Sequence, residues 1–464
     1  MNICHKSARI AVIPALAMAL TTLWQAEALP PQPAFTIEQL AGQWQITIVG
    51  NTGCGQSSLL FTGNLNPSGT GTGTLTGSSG CRPFPTSSTQ TFTITSLNAI
   101  GAGKAALSCG SGCGWNFDIQ VKGDRQMFNL VDVTNGSGNV LAGTAVRIAE
   151  GTPPITVDQL AGRWQITLVG NTGCGQSSLL FTGNLNANGT GTGTLTGSSG
   201  CNPSPSSSTQ TFTITSLNAD GSGTAALSCG SGCGWNFDIQ VDANKQTFNL
   251  VDVTNGSANV LAGTAVAVAE GAPAITADEL ARPWQITLVG NTGCGRSSML
   301  FSGTLHNDAA TGTVTGTGTL TAESGCSPSP STSTQTFTIT SLNGDGSGTA
   351  ALSCGSGCGW NFDIQVDADK QMFNLVDVTN GGANVLAGTA VAEPAGFVRV
   401  PDLVGDNITE AEEAAQAAGL LLKANDSGNL VVTQTPGAGA WVPVGSTVSV
   451  ELVRIPWCGR LPCP

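Results

Sequence analysis

At 464 residues the chain has room for about three or four domains. It carries 63 glycines, no tyrosine and only 10% charged residues, with a formal net charge of -13. Such a balance lacks the basic footprint that phosphate backbones and anionic bilayers require, so it argues against nucleic acid and membrane-surface partners.

Residues 1–28 have the form of an export signal. Lys6 and Arg9 precede an apolar run from Ile10 to Trp24, and Ala26-Glu27-Ala28 offers a small-x-small cleavage site before Leu29. The run is short and polar, proline-rich sequence follows it, so a membrane span is the poorer reading. No later segment has the apolar length of a span. The expected product is secreted, periplasmic or at the cell surface, with no membrane span after cleavage.

Cysteine usage agrees with export. Cleavage removes Cys4 and leaves an even number of the 15 cysteines. Four fall in each of three repeats: Cys54, Cys81, Cys109 and Cys113; Cys174, Cys201, Cys229 and Cys233; Cys294, Cys326, Cys354 and Cys358. Cys458 and Cys463 lie in the tail at 454–464. Even numbers at repeated spacings in an exported chain imply disulfides, with pairing left open. A structural zinc on the first four is the alternative.

The repeats span 35–150, 155–270 and 275–393, each long enough to be a complete domain in series. Asn51 to Asn66 recurs letter for letter at 171–186, and the third copy carries a short insertion around His306 to Thr315. In the first copy eight strand-like runs follow one another: 43–49, 57–63, 69–76, 90–96, 104–108, 114–121, 126–133 and 139–148. The clearest begins after Cys113, where Trp115, Phe117, Ile119 and Val121 alternate with Asn116, Asp118 and Gln120. Turn residues separate most of the runs, and Thr36 can cap one helical turn ahead of them. Eight short strands with tight connections predict a mainly β chain of up-and-down barrels, a two-sheet sandwich being the alternative.

Leu40-Ala-Gly42-Gln-Trp44 and Leu160-Ala-Gly162-Arg-Trp164 carry a Gly-x-Trp motif before the first strand, with Arg282-Pro283-Trp284 departing from it in the third copy. On these residues each repeat resembles the lipocalin and avidin superfamily. The resemblance implies that the tryptophan plugs the closed end of the barrel. It also makes Arg147 the candidate for the arginine late in the last strand, where copies two and three have Ala267 and Ala392.

Residues 398–453 differ in kind. Val400-Pro-Asp-Leu-Val-Gly405 leads into the helical stretch Ile408 to Leu420, then Gln434-Thr-Pro-Gly-Ala-Gly439 and Val444-Gly-Ser-Thr-Val448. The segment resembles a PASTA domain, a small α+β module found outside bacterial cells. The resemblance implies association with peptidoglycan or another envelope glycan, or a spacing and protein-contact role.

Catalysis finds no support. Of the two histidines, His5 leaves with the signal and His306 occurs in one copy only, so no nucleophile–histidine pair is common to the repeats. No cofactor and no metal are expected. Alternating connections place the cysteine-bearing loops after strands one, three and five at one end of each barrel, opposite Trp44. If Val121 pairs with Gln126, Asp132 stands opposite Trp115 beneath that rim, as do Asp252 with Trp235 and Asp377 with Trp360. These six are the ligand-rim candidates for a small ligand or a secreted protein. The plainer reading makes Trp115 core and Asp132 the cap of the Thr134-Asn-Gly turn, while Asp118, Asp238 and Asp363 face solvent. The expected function is an exported, non-catalytic binding protein of bacteria. The alternatives are a small-barrel protease inhibitor acting through 29–34, as the bacterial metalloprotease inhibitors it resembles would imply, and a structural surface spacer.

Overall fold

The structure, a computed structural model, describes residues 34–454 except 53–54, 80–81, 109–113, 134–138, 150–152, 174, 200–203, 229–233, 254–258, 270–272, 294, 326, 354–358, 379–383 and 395; it also describes 457–458 and 461–462. The export signal and all the repeat cysteines lie outside the described residues. The backbone of Cys458 is described, in a two-residue ladder with Leu461, whereas Cys463 is not.

Each repeat opens on one helical turn. In the first this is Ile37–Leu40, where Gln39 reaches back to accept from the Thr36 N–H at 3.1 Å. Eight strands follow: β1 (Gly42–Asn51), β2 (Gln56–Leu65), β3 (Thr70–Ser79), β4 (Arg82–Leu97), β5 (Ala102–Ser108), β6 (Gly114–Val121), β7 (Met127–Val131) and β8 (Val140–Arg147). Each pairs antiparallel with the next, and β8 returns to β1 to close the barrel. The second repeat closes in the same order, and in the third, Arg296–Thr304 pairs with Thr313–Ser324 to do likewise. The insertion adds only a short outer strand, His306–Asp308. The up-and-down barrel expected from the turn spacing is therefore present three times.

The barrels are filled. Trp44 is fully buried and its indole N–H donates to Leu40 O at 2.8 Å, which seals the closed end. Phe128 packs on it at 4.9 Å between ring centroids, then Phe92 at 6.1 Å and Phe61 at 5.9 Å carry the aromatic stack upward. Trp164 and Trp284 repeat the plug, donating to Leu160 O and Leu280 O. Arg147 faces Trp44 across the β1–β8 ladder and bonds the backbone of the Gln39–Ala41 turn. Copy three compensates for Ala392 from the other side, since the Arg282 guanidinium donates to Glu279 O.

One-sided burial holds for only part of each barrel. On β7 all five residues are buried, and on β1 burial is continuous from Trp44 to Asn51. A strand with both faces dry needs a cover on its outer face. Here the cover is the other two barrels. Val49, Leu60, Val131, Val133, Val140 and Ala142 point outward from the first barrel into a core shared with their counterparts in the second and third. The repeats are thus not independent beads in series. They are gathered about one pseudo-threefold axis, because the outer faces of β1, β2, β7 and β8 are too apolar to leave wet.

The C-terminal module folds on its own core of Val400, Leu403, Ala411, Ala415, Val431 and Val448, among others. Its helix, Ile408–Ala417, starts at Asn407, whose side chain accepts from the Thr409 and Glu410 N–H groups at 3.0 Å. Glu410 answers by accepting from the Asn407 N–H, completing a capping box. Strand Leu421–Ala424 runs parallel to Thr447–Val453, which pairs antiparallel with Leu430–Thr435.

Candidate functional site

The six rim candidates do not form a cup. Trp115 and Trp235 are buried in their barrel cores and pair across the sheet with Leu107 and Leu227; Trp360, paired with Leu352, is half-buried. The connection between β6 and β7 is two residues longer than its sequence suggests. Arg125 takes a left-handed conformation at φ 61°, Lys122 N–H donates to Met127 O, and Val121 pairs with Phe128 instead of Gln126. Asp132 therefore does not stand opposite Trp115.

Instead, the three aspartates lie at the joints between barrels. All are buried, and each accepts through its backbone carbonyl from a serine of a neighbouring barrel. Ser58 donates to Asp252 O at 2.6 Å, Ser178 to Asp377 O at 2.6 Å, and Ser298 to Asp132 O at 2.7 Å. The bonds run first to second, second to third and third to first, closing a ring. Three amides repeat the pattern in the opposite sense, from Asn129 to Thr389 O, Asn249 to Gln45 O and Asn374 to Thr264 O.

Layers of equivalent residues line the axis. A cavity of about 40 Å³ is ringed by Thr47, Thr144 and their counterparts in the other two barrels. Val49, Val169 and Val289 separate it from the mouth end, where Gln56, Gln176 and Arg296 surround the axis. Because equivalent residues share each layer, the three β1 strands run in the same direction. The three mouths consequently open at one end of the assembly and the three tryptophan plugs sit at the other.

At the plugged end the equivalence breaks. Lys122 is fully buried, with Nζ 2.8 Å from Asp367, 3.1 Å from Asp369 and 3.5 Å from Asp124. Burial alone would lower its pKa, but the carboxylates of Asp367, Asp124 and Asp369 outweigh it and hold the ammonium well above its usual range. Burial pushes the Asp367 carboxyl up to about 8 against the pull of Lys122. Asp242, the third residue of the set, is also pushed up by burial, while accepting from the backbone and hydroxyl of Thr247. The repeats read Lys122-Gly-Asp124, Asp242-Ala-Asn244 and Asp367-Ala-Asp369 amid nearly identical sequence. That local divergence was the available signal for this site.

Asp118, Asp238 and Asp363, expected to be solvated, are not equivalent either. Asp118 forms an ion pair with Lys104, whereas Thr224 and Thr349 stand opposite the other two. Burial raises the Asp238 and Asp363 carboxyls, the charge of Asp377 adding to the latter. Among the described residues no group of three or more His, Cys, Asp or Glu is arranged to hold a metal ion. No helix among them is long and apolar enough to cross a membrane.

Residues 398–454 match the PASTA domain family. No curated protein matches the chain. A solved structure of a double mutant of the vaccine antigen transferrin binding protein B from Haemophilus parasuis aligns with 8% identity and a TM-score of 0.20, over 75% of each chain. A likeness that slight carries no argument about function. The protein thus consists of three eight-stranded antiparallel barrels of the up-and-down kind, followed at residues 398–454 by a PASTA domain.

Proposed function

We propose that this is an exported, non-catalytic binding protein whose three barrels act as one multivalent head, tethered to the cell wall or envelope by the PASTA domain. The observation that carries the reading is the common direction of the three β1 strands, which turns three near-identical mouths toward one target surface. Three weak contacts offered together bind an array far better than one alone. The packed interiors favour recognition by loops at the mouths over capture inside a barrel, with Trp115 and its counterparts packed in the cores beneath the rims and Asp132 and its counterparts holding the barrels together. Peptidoglycan, the wall polymer with which PASTA domains are associated, is the envelope partner.

The test is co-sedimentation with purified sacculi, using the full chain and a chain lacking 398–454, which has its own core to lose without opening the barrels. Retention of the full chain alone supports the tether. Equal retention of both, or of neither, removes it.

A further inference from the structure

The three mouths differ at a bulge of the rim. Where β3 meets β4, Gly77 pairs with Thr86 and Ser79 with Arg82, so the β4 side of the ladder carries extra residues at this point. The third barrel has the same irregularity, Ala322 pairing with Ser331 and Ser324 with Ser327. A bulge of this kind frees residues from the ladder and re-aims a side chain. The sequence there is Pro83-Phe84-Pro85 in the first repeat, Pro203-Ser204-Pro205 in the second and Pro328-Ser329-Pro330 in the third. Proline suits the position, having a fixed φ and no N–H to offer a ladder. The middle residue is exposed in all three copies, and in two of them a serine serves.

In the first barrel that residue is Phe84, 73% exposed and the most exposed large hydrophobic side chain among the described residues. The other exposed large hydrophobics among them all belong to the PASTA domain, so at the mouth end the ring has no apolar company. Beside it β4 presents Thr86, Ser87, Ser88 and Thr89, all exposed, and β3 and β4 together carry one charged residue, Arg82. Folding gains nothing from a phenyl ring held in water, and Ser204 and Ser329 take the same exposed position without one. A ring already fixed in place loses little entropy when a ligand covers it.

One isolated ring among hydroxyls has the extent of one sugar residue. A protein partner covers about 800 Å² and draws on clustered apolar anchors, which this rim lacks. The net charge of -13 argues against an anionic bilayer. A pyranose has a C–H face, which the negative face of an aromatic ring attracts, and edge hydroxyls that neighbouring serines and threonines can meet. We propose that Phe84 is a stacking platform for one sugar residue of an envelope glycan, present on the first barrel and missing from the other two. The site rests on the reading of the mouth end as the contact face, and it lies on the barrel head and not on the PASTA tether.

The experiment titrates the full chain, carrying isotope-labelled phenylalanine rings, with an N-acetylglucosamine tetramer, read by NMR and calorimetry. The Phe84 signal is the one missing from Phe84→Ser, a substitution that installs the residue of the sister repeats and leaves folding intact. That signal is expected to move saturably, and Phe84→Ser to weaken binding by about tenfold, the worth of one well-placed ring. Phe84→Leu stays apolar without the flat face and should bind as poorly as the serine variant, whereas Phe84→Trp should bind at least as tightly as the wild type. A Phe84 signal that stays still, an unaltered affinity in Phe84→Ser, or a leucine as good as phenylalanine overturns the proposal. So does a Phe84→Ser chain that loses a protein from an envelope extract while its sugar affinity stands. All these chains keep residues 398–454, so the outcome is separate from that of the tether test, which removes them.

Discussion

Lys122 of the first barrel and Asp367 of the third meet at 2.8 Å with neither side chain exposed, at the position where one of three otherwise similar turns carries a cation and the other two an aspartate. Were all three turns built like the second or third, two or more carboxylates would face one another on the axis without a counter-ion. Lys122→Met is expected to destabilise the folded chain by about 3–5 kcal/mol, because it leaves the Asp369 and Asp124 carboxylates packed around that point without a counter-ion. Moving the lysine, by combining Lys122→Asp with Asp367→Lys, should recover much of that loss. Urea denaturation of the three chains decides the matter, and equal cost for the single and the paired exchange would show that charge balance is not what the position supplies.

Stability should fall as the solution becomes alkaline. Asp367 binds its proton more tightly in the folded chain, at about 8 against 3.8 for the free side chain. Its contribution is therefore complete below about pH 4 and is lost as pH rises toward 8. Glu393, pushed up to about 7 by burial, acts in the same sense over a lower window. Melting temperatures from pH 5 to 9 should decline, with Asp367→Asn flattening the upper part of the curve and Glu393→Gln the lower. A curve that rises through this range would contradict both assignments.

The serine ring offers a graded test. Ser58→Ala, Ser178→Ala and Ser298→Ala each delete one buried donor to an aspartate carbonyl, and each should cost about 1 kcal/mol. The three sites are equivalent and share no partner, so the triple variant should lose roughly the sum. Hydrogen exchange at β7 and its counterparts should quicken with each step. Unchanged exchange in the triple variant would mean that the apolar core alone holds the barrels together.

Trp235→Ala tests what the rim tryptophans do. The side chain is 8% exposed and packs within the barrel core, so its truncation should cost about 3–5 kcal/mol by cavity formation. Asp252→Ala leaves the backbone carbonyl that accepts from Ser58 and should leave the barrels joined, as judged by sedimentation. If Trp235→Ala melts like the wild type yet loses a bound molecule, the tryptophan is a ligand platform after all.

Much of the fold was legible in the sequence. The eight runs and their turns locate β1 to β8, and the Gly-x-Trp motif anticipates the plug at Trp44. The association of barrels was hidden for a physical reason. On β1 the outward residues are Gln45, Thr47 and Val49, polar enough to pass for a wet face, although continuous burial along Met127 to Val131 and Val140 to Ala142 shows the other face is covered too. The register of β6 on β7 was missed because it depends on Arg125 adopting a positive φ, which an arginine does not advertise. Ser58 and Asp132 find their hydrogen-bond partners only across two barrels, so the sequence of a single repeat gives Ser58 no role and sets Asp132 below a mouth.

A circle of bonds in which the third repeat returns to the first has no terminal member. Open arrays of repeats need specialised end units to shield an unsatisfied face, and evolution can lengthen them one copy at a time. Here every repeat has two neighbours and the apolar centre is already enclosed. A fourth copy would find nothing to stand against, so the number of barrels is fixed by geometry, and variation in this protein must arise within the copies.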